Sequence, residues 1–467
     1  MDREKQVVER ALAARVERLW QEVSWDTPRE DADRLRQEAI QACHALHRTA
    51  NPAYRGRCER EQIGERLELA ELPALVFPEE IYKAYSEERR INGKKLGVFC
   101  EQDVPLLVEH LNHYLVHPIT MDGLAQSYMK FTNIRGGLDR LRADLLSAQG
   151  VFLVTSSGTT GSAFSLIPLD KESFEMLLRA NERTLEEASN VPGYGPIDPD
   201  SHCMVGHFPR KGSMGMALTF EFQARRFGER AFFTIPMEVQ TRELRWRKGT
   251  YAGLSGWILG LVMKPLLQMG GKRTAHKGME NMIMALKKAE ELGVRTLIAG
   301  NQWMAYNTLK QMAALLRAEI ERGTKKPGDH YIDLAPGSVL VVGGGNKSGL
   351  SIPEEEIITL FHKLIGGLDK VVDLYSQAEG FGIGIRCNEG NYHLDPHTEY
   401  FTIDSYLAYF DPRQTNRVPA IITGDLVDAI HEEPCSCGAP TRYFRSIERD
   451  VLNRGSKGCA AALAEYV

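Results

Sequence analysis

Apolar residues first fall on a helical period. Val8, Leu12, Val16 and Leu19 share one face of a charged segment, and residues 1 to about 50 therefore read as helical. A helix packed on its own domain is favoured over one that binds a partner. Residues 51–85 follow no simple period; LPALVFPEEIY sets two prolines around an apolar centre. The pattern sharpens at Val151. VFLV is a continuous apolar run, small residues follow from Thr155 to Gly161, and a second run spans Phe164 to Leu169. This is the signature of strand, tight loop, strand. LDKESFEMLLRANERTLEEA then reads as an amphipathic helix, VPGYGPIDPDSH as a loop, and CMVGHFP as a short strand running into a turn. WILGLVMKPLLQMGG is apolar enough for a buried helix ended by Gly270 and Gly271. MENMIMALKKAEELG is a further helix, and TLIAG, VLVV and AIITGD are strands, the last ending at Asp425. Alternating helix and strand predicts an α/β fold. No internal repeat or low-complexity linker interrupts it.

The loop after Val154 carries the first chemistry. Gly158 and Gly161 let the backbone bend sharply, while Thr155, Ser156, Ser157, Thr159 and Thr160 supply hydroxyls. Successive N–H groups in such a bend form an anion nest, so the natural tenant is a phosphate; the competing reading is a polar turn. The loop is not a Walker loop and lacks the Rossmann glycine spacing.

Composition narrows the classes. The chain has 467 residues, 43% hydrophobic and 25% charged, with net charge −5. That suits a soluble globular protein and leaves no basic footprint for nucleic acid. No apolar run is long enough for a membrane span, and the charged N-terminus is not a secretory signal. Eight cysteines in this length do not suggest a disulfide framework, so a cytoplasmic location is expected. His110, His113 and His117 have i,i+3 and i,i+4 spacing. Without a carboxylate or cysteine cluster beside them, solvated or packed histidines are expected rather than a metal site.

TSSGTTG resembles the signature loop of the adenylate-forming superfamily, and the absence of a following lysine resembles its phenylacetate-CoA ligase and acyl-protein synthetase branch. Further matches follow in order: SVLVVGGGNKSG with Gly343, Gly344 and Gly345; VVDLYSQAEG; AIITGDLV; and RSIERD. The resemblance covers roughly residues 80–460. It implies an N-terminal adenylate-forming domain of two αβ subdomains and a distorted β-barrel, with a truncated C-terminal lid. The corresponding division is a helical extension at 1–80, an ATP- and acyl-binding domain at 81–449 and a short tail at 450–467.

The implied site follows residue by residue. The 155–161 loop would hold the ATP phosphates, with Thr159 and Glu379 catalytic and Glu379 on Mg²⁺. The three glycines would pack on adenine, Tyr375 would stack on it, and Ser376 and Gln377 complete that segment. Asp425 and Arg449 would hold the ribose, with Asp450 near the hinge. Ser376 and Ala378 replace the glycine and threonine of the family motif. His207 is read either as an acyl-pocket residue or as a surface histidine. Asn301, Gln302 and Trp303, at a strand's carboxyl end, are read either as acyl-pocket residues or as a loop packed on the core.

Cys387, His393, Cys435 and Cys437 have the donor types of a tetrahedral structural zinc site, with His431 as a rival fourth ligand and incidental buried thiols as the alternative. Cys43, Cys58, Cys100 and Cys203 read as packing residues. Only VLNRGSKGC and a few residues follow the hinge match, so the family's lid lysine is expected to be missing unless Lys457 or a partner substitutes. The Lys457–Gly458–Cys459 end resembles the acyl-protein synthetase of bacterial bioluminescence, where a cysteine accepts the acyl group; Gly455 and Gly458 would give Cys459 reach, and an incidental tail cysteine is the alternative. The activity implied is ATP-dependent activation of a fatty or aromatic carboxylic acid as acyl-AMP. Transfer to a thiol follows: Cys459 and then a protein partner, or CoA or a carrier protein. An amide-forming ligase using an amine, or a degenerate nucleotide-binding subunit, are the other readings.

Overall fold

The computed structural model describes residues 2–82, 90–91, 94–95, 104–122, 124, 137–155, 165–187, 197–212, 215–239, 276–300, 302–343, 354–377 and 379–449. The fold is mixed α/β. Its centre is an eight-stranded sheet in the order Tyr443–Phe444, Tyr392–Leu394, Ile383–Arg386, Ile365–Ser376, Ile332–Gly343, Arg295–Gly300, His202–Gly212, Ala231–Val239. The last five of these are mutually parallel and the first three pair antiparallel.

Helices connect the parallel strands, as parallel pairing requires. The chain leaves His202–Gly212 through the helix Gly215–Phe227 and returns as Ala231–Val239. It next enters the sheet on the other side of His202–Gly212, then moves steadily outward through the helices 276–292, Gln302–Glu321 and Glu354–Leu364. Alternate strand residues serve opposite faces. Cys203, Val205, Ile298, Leu340 and Val342 pack under the later helices through Leu286, Leu309, Met312 and Phe361. Met204, Leu297, Val339 and Val341 pack on Phe227, Trp25 and Tyr443 on the other face. Burial on both sides explains why VLVV and TLIAG read as continuous apolar runs.

A second sheet runs Phe77–Pro78, Ala420–Val427, Tyr406–Phe410, Glu399–Ile403, with Ile447–Arg449 also paired to Ala420–Val427. The helical N-terminus packs here. It forms two long helices, Asp2–Glu22 and Arg29–Ala50, because the turn ending at Pro28 interrupts the periodic stretch. Leu12, Val16, Ile40 and Leu46 share one core with Leu407, Phe410 and Ile421. Charged groups tie the layers together. Arg36 pairs with Glu399 at 2.6 Å, and Arg413, 2% exposed, meets Asp395 at 2.7 Å and Asp411 at 2.8 Å. Burial alone would raise the Asp395 carboxyl, but Arg413 and His397 hold it well below the carboxylate range. Removing one partner of such a buried pair costs about 3–5 kcal/mol.

Two boundaries differ from expectation. The CMVGHFP strand does not stop at a turn but continues to Gly212, alongside Ala231–Val239. Thr423, Gly424 and Asp425 lie inside a strand rather than at its end, because Ile447–Arg449 pairs with Asp425, Leu426 and Val427 and prolongs it. Among the described residues no helix is long and apolar enough to cross a membrane.

Candidate functional site

The two sheets meet at one polar corner. Tyr375 is the penultimate residue of Ile365–Ser376 in the central sheet, while Asp425 comes from Ala420–Val427 in the second. The Tyr375 hydroxyl donates to Asp425 Oδ2 at 2.9 Å. Gln377, just past the strand, donates through Nε2 to the Tyr375 oxygen at 2.8 Å and to Asp425 Oδ2 at 3.0 Å. The carboxylate dictates the amide's orientation, since a flipped Gln377 would place oxygen against oxygen. Asp425 is fully buried, its N–H donates to Thr423 Oγ1 at 3.1 Å, and Arg449 is its register partner in the adjacent strand. The Tyr375 ring is held edge-on by Phe444 at 5.7 Å. Ser376 is exposed, and Glu379, four residues beyond Tyr375, is 8% exposed. The Glu379 carbonyl accepts from Gln414 Nε2 at 3.5 Å.

A second location follows from topology. The chain reverses its direction of travel across the sheet between His202–Gly212 and Arg295–Gly300, and ligands of open α/β sheets bind beyond the carboxyl ends of strands at such a switch point. His207 lies there. It is 2% exposed, which removes the surface-histidine reading, and its Nδ1 is hydrogen-bonded to the Thr234 hydroxyl. Burial pushes its pKa down to about 4, so the ring is neutral at pH 7. Gly300 closes against it: a Cβ there would stand 3.2 Å from His207 Cβ, so a larger residue would crowd the imidazole.

The third location is a Cys/His cluster. Cys387 follows the strand Ile383–Arg386, His393 lies in Tyr392–Leu394, and Cys435 and Cys437 precede Tyr443–Phe444. One donor atom from each lies within 4.8 Å of all the others. Cys387 Sγ is 4.0 Å from Cys435 Sγ, and Cys437 Sγ is 3.2 Å from His393 Nε2. Tetrahedral zinc with Zn–S of ~2.3 Å and Zn–N of ~2.0 Å sets its ligands about 3.5–3.8 Å apart, so this donor set fits that ion. Thr441 Oγ1 meets His393 Nδ1 at 2.9 Å, which turns Nε2 toward the thiols, the support expected behind a metal-binding imidazole. Burial alone would raise the Cys435 thiol, but hydrogen bonds from the Cys437 N–H and the Asn391 amide bring it below its usual value. His431 is not part of the cluster; its nitrogens face Asp428 at 2.7 Å and Glu433 at 3.1 Å.

Other expected residues lie apart or outside the description. Thr155 ends the strand Phe152–Thr155 and is fully buried; Ser156, Ser157, Gly158, Thr159, Thr160 and Gly161 lie outside the described residues. Gly343 ends its strand, and Gly344, Gly345, Asn301, Ala378, Asp450, Lys457 and Cys459 lie outside them, as do Cys100 and the WILGLVMKPLLQMGG segment. Trp303 falls in the first turn of Gln302–Glu321. His110 bonds to the Ile81 carbonyl at 2.7 Å, and the exposed His117 lies 3.4 Å from Glu9. Cys43, Cys58 and Cys203 are buried. Sequence reading missed Gln414 and the buried arginines 413 and 417. Scattered charges carry no spacing signal, and only their position between prolines and strands hinted at a packed turn.

No protein-family model and no curated protein sequence matches the chain. Among solved structures it is similar to a 2-hydroxyisobutyryl-CoA ligase, in an open conformation in complex with 2-HIB-AMP and CoA. That similarity has 11% identity and a TM-score of 0.47, and covers 92% of this chain and 72% of that one. It falls short of defining family membership.

Proposed function

We propose that this chain activates a carboxylic acid with ATP as an acyl-adenylate and passes the acyl group to a thiol. The observation that carries the reading is the meeting of Tyr375, Gln377 and Asp425, which come from two different sheets, with distances of 2.8–3.0 Å. An aromatic ring beside a buried carboxylate suits a nucleoside. The ring offers a stacking face, and the carboxylate can accept both hydroxyls of a ribose. Arg449 is the second ribose partner in this reading. The order of SSGTTG, GGG, YSQAE, TGD and SIERD along the sequence supports the same assignment.

In this mechanism the 155–161 loop donates N–H and hydroxyl groups to the phosphates. Glu379 would hold Mg²⁺, which would supply charge neutralisation at the phosphates. The substrate carboxylate attacks the α-phosphorus in line and pyrophosphate leaves. His207, neutral at pH 7, lines the acyl side with Asn301 and Trp303, where an uncharged ring does not trap the carboxylate as an ion pair. A thiol then attacks the acyl carbon and AMP departs. Cys459 is the proposed first acceptor, a partner protein the next; CoA and a carrier-protein thiol are the external alternatives. Cys387, His393, Cys435 and Cys437 would hold a structural zinc ion, which would tie the antiparallel edge of the central sheet.

ATP–pyrophosphate exchange with a panel of fatty and aromatic acids tests adenylation, and intact-protein mass spectrometry beside Cys459→Ala tests the acceptor. Acid-dependent exchange with an adduct lost in the variant is the expected result. Exchange without an adduct moves the acceptor outside the chain. No exchange with any acid removes the enzymatic reading.

A further inference from the structure

Arg417 is an unusual buried cation. It is 1% exposed, yet among the described residues only Nη2 has a hydrogen-bond partner, Gln414 Oε1 at 2.8 Å. Its Nε and Nη1 have none among those residues. Arg413 shows the contrast: that buried guanidinium meets two aspartates and the Thr398 hydroxyl. Arg36 likewise has Glu399, Asp33 and the Pro396 carbonyl. Besides Gln414, Arg417 has the rings of Phe381 and Tyr82, 5.5 and 5.9 Å from its central carbon, and among the described residues no carboxylate pairs with it. Such ring contacts offset only part of the penalty for a buried, unpaired charge.

The surroundings show what could complete it. Gln414 holds Arg417 through Oε1 and reaches the Glu379 carbonyl through Nε2 at 3.5 Å. The Tyr409 hydroxyl, also buried without a partner among the described residues, would stand 3.0 Å from a Cβ placed on Gly380, the residue after Glu379. The Glu379 and Arg417 charges are both felt at the Tyr82 and Tyr409 phenols. One corner therefore gathers a guanidinium with open N–H groups, a phenol and a carboxylate. A bare anion would be repelled by Glu379. A phosphate carrying a divalent cation satisfies both sides, with metal on the carboxylate and oxygens on the guanidinium.

We propose that Arg417 is an anion-binding residue for a magnesium-bound polyphosphate, the pyrophosphate end of the nucleotide. This rests on the adenylation reading and adds to it a binding residue that the 155–161 loop does not supply.

The test uses the full chain with Mg²⁺ and inorganic pyrophosphate, titrated calorimetrically beside Mg·ATP, and compares wild type with Arg417→Met and Arg417→Lys. Arg417→Met is expected to unfold at the same temperature or higher without ligand, because it removes a buried unpaired charge. Its pyrophosphate affinity is expected to fall by about tenfold to a hundredfold, the range of a charge-assisted hydrogen bond. Arg417→Lys keeps the charge but not the planar donors and is expected to fall between. An Arg417→Met protein that is less stable and binds pyrophosphate as wild type does overturns the proposal. If that variant does not fold, unaltered binding by Arg417→Lys overturns it instead. Wild-type binding of both ligands with no effect of either variant removes the Arg417 assignment alone. A wild type that binds neither ligand removes the adenylation reading as well.

Discussion

The Cys/His cluster and the Tyr375–Asp425 corner make polar sites in opposite ways. The cluster is assembled from neighbouring antiparallel strands, and its four donors are already within reach of one another, 4.8 Å at most. Only small changes separate it from a closed tetrahedral site. The corner is assembled across two sheets from residues 50 apart, and its groups satisfy each other, Tyr375 to Asp425 and Gln377 to both. A ligand there must replace hydrogen bonds that already exist. The first arrangement suits a permanent tenant that contributes to folding. The second suits a ligand that comes and goes, because Tyr375 and Asp425 already hold each other in its absence.

The largest effect is expected at the cluster. Cys435→Ser or Cys437→Ser should lower bound zinc, measured by metal analysis, from about one per chain to near zero. Stability should fall by more than about 3 kcal/mol, in the class of losses caused by removing a metal. A wild-type chain purified without metal and unaffected by chelator would end the zinc reading. At the corner, Asp425→Ala should leave folding cooperative but reduce ATP–pyrophosphate exchange by about a hundredfold or more, the scale of losing a charge-assisted pair of hydrogen bonds. Equal losses of stability at both places would erase the distinction between permanent and exchangeable sites.

The comparison also shows what could be read without coordinates. Cys435-x-Cys437 was legible because metal geometry demands particular donors at short spacing, and the rival His431 was separated from it only by the hydrogen bonds that turn it toward Asp428 and Glu433. The α/β class was legible because strands buried on both faces read as apolar runs. The 1–50 stretch was legible as helix but not as two helices, since Pro28 interrupts the chain without disturbing the apolar period. The placement of Thr423–Asp425 inside a strand was not legible, because the partner strand at 447–449 is short and polar. Arg413 and Arg417 carry no sequence signal of their burial. Burial of an arginine depends on which carboxylates the fold brings to it, and Asp395 and Asp411 carry no local mark of that role.

His207 adds a pH arm on the sheet's ligand side. Burial lowers its pKa from about 6.5 to about 4. The unfolded chain therefore binds more protons between those values, so stability is present above pH 6.5 and is lost as pH falls toward 4. From pH 7 to pH 5 that loss is about 2 kcal/mol for this one group. Urea unfolding at the two pH values, beside His207→Gln, should show the wild type losing about that much more than the variant. His47, also buried and lowered to about 4, acts in the same direction and is present in both proteins, so it cancels in the difference.

The smallest effect, and the sharpest on the comparison, belongs to Tyr375→Phe. The substitution keeps the ring and its edge-on contact with Phe444, and removes only the hydroxyl that donates to Asp425 and accepts from Gln377. Stability should fall by about 1–2 kcal/mol, because Asp425 is fully buried and loses a donor. Binding should move the other way. If the Tyr375–Asp425 bond must yield before a ribose can reach the carboxylate, its absence leaves Asp425 more available, and the affinity for Mg·ATP should rise by a few-fold while the chain becomes less stable. If the phenol instead helps to hold the nucleotide, both quantities fall together. Calorimetry and urea unfolding on the same preparation separate these outcomes, and a joint loss would make the corner a preformed site like the Cys/His cluster rather than its opposite.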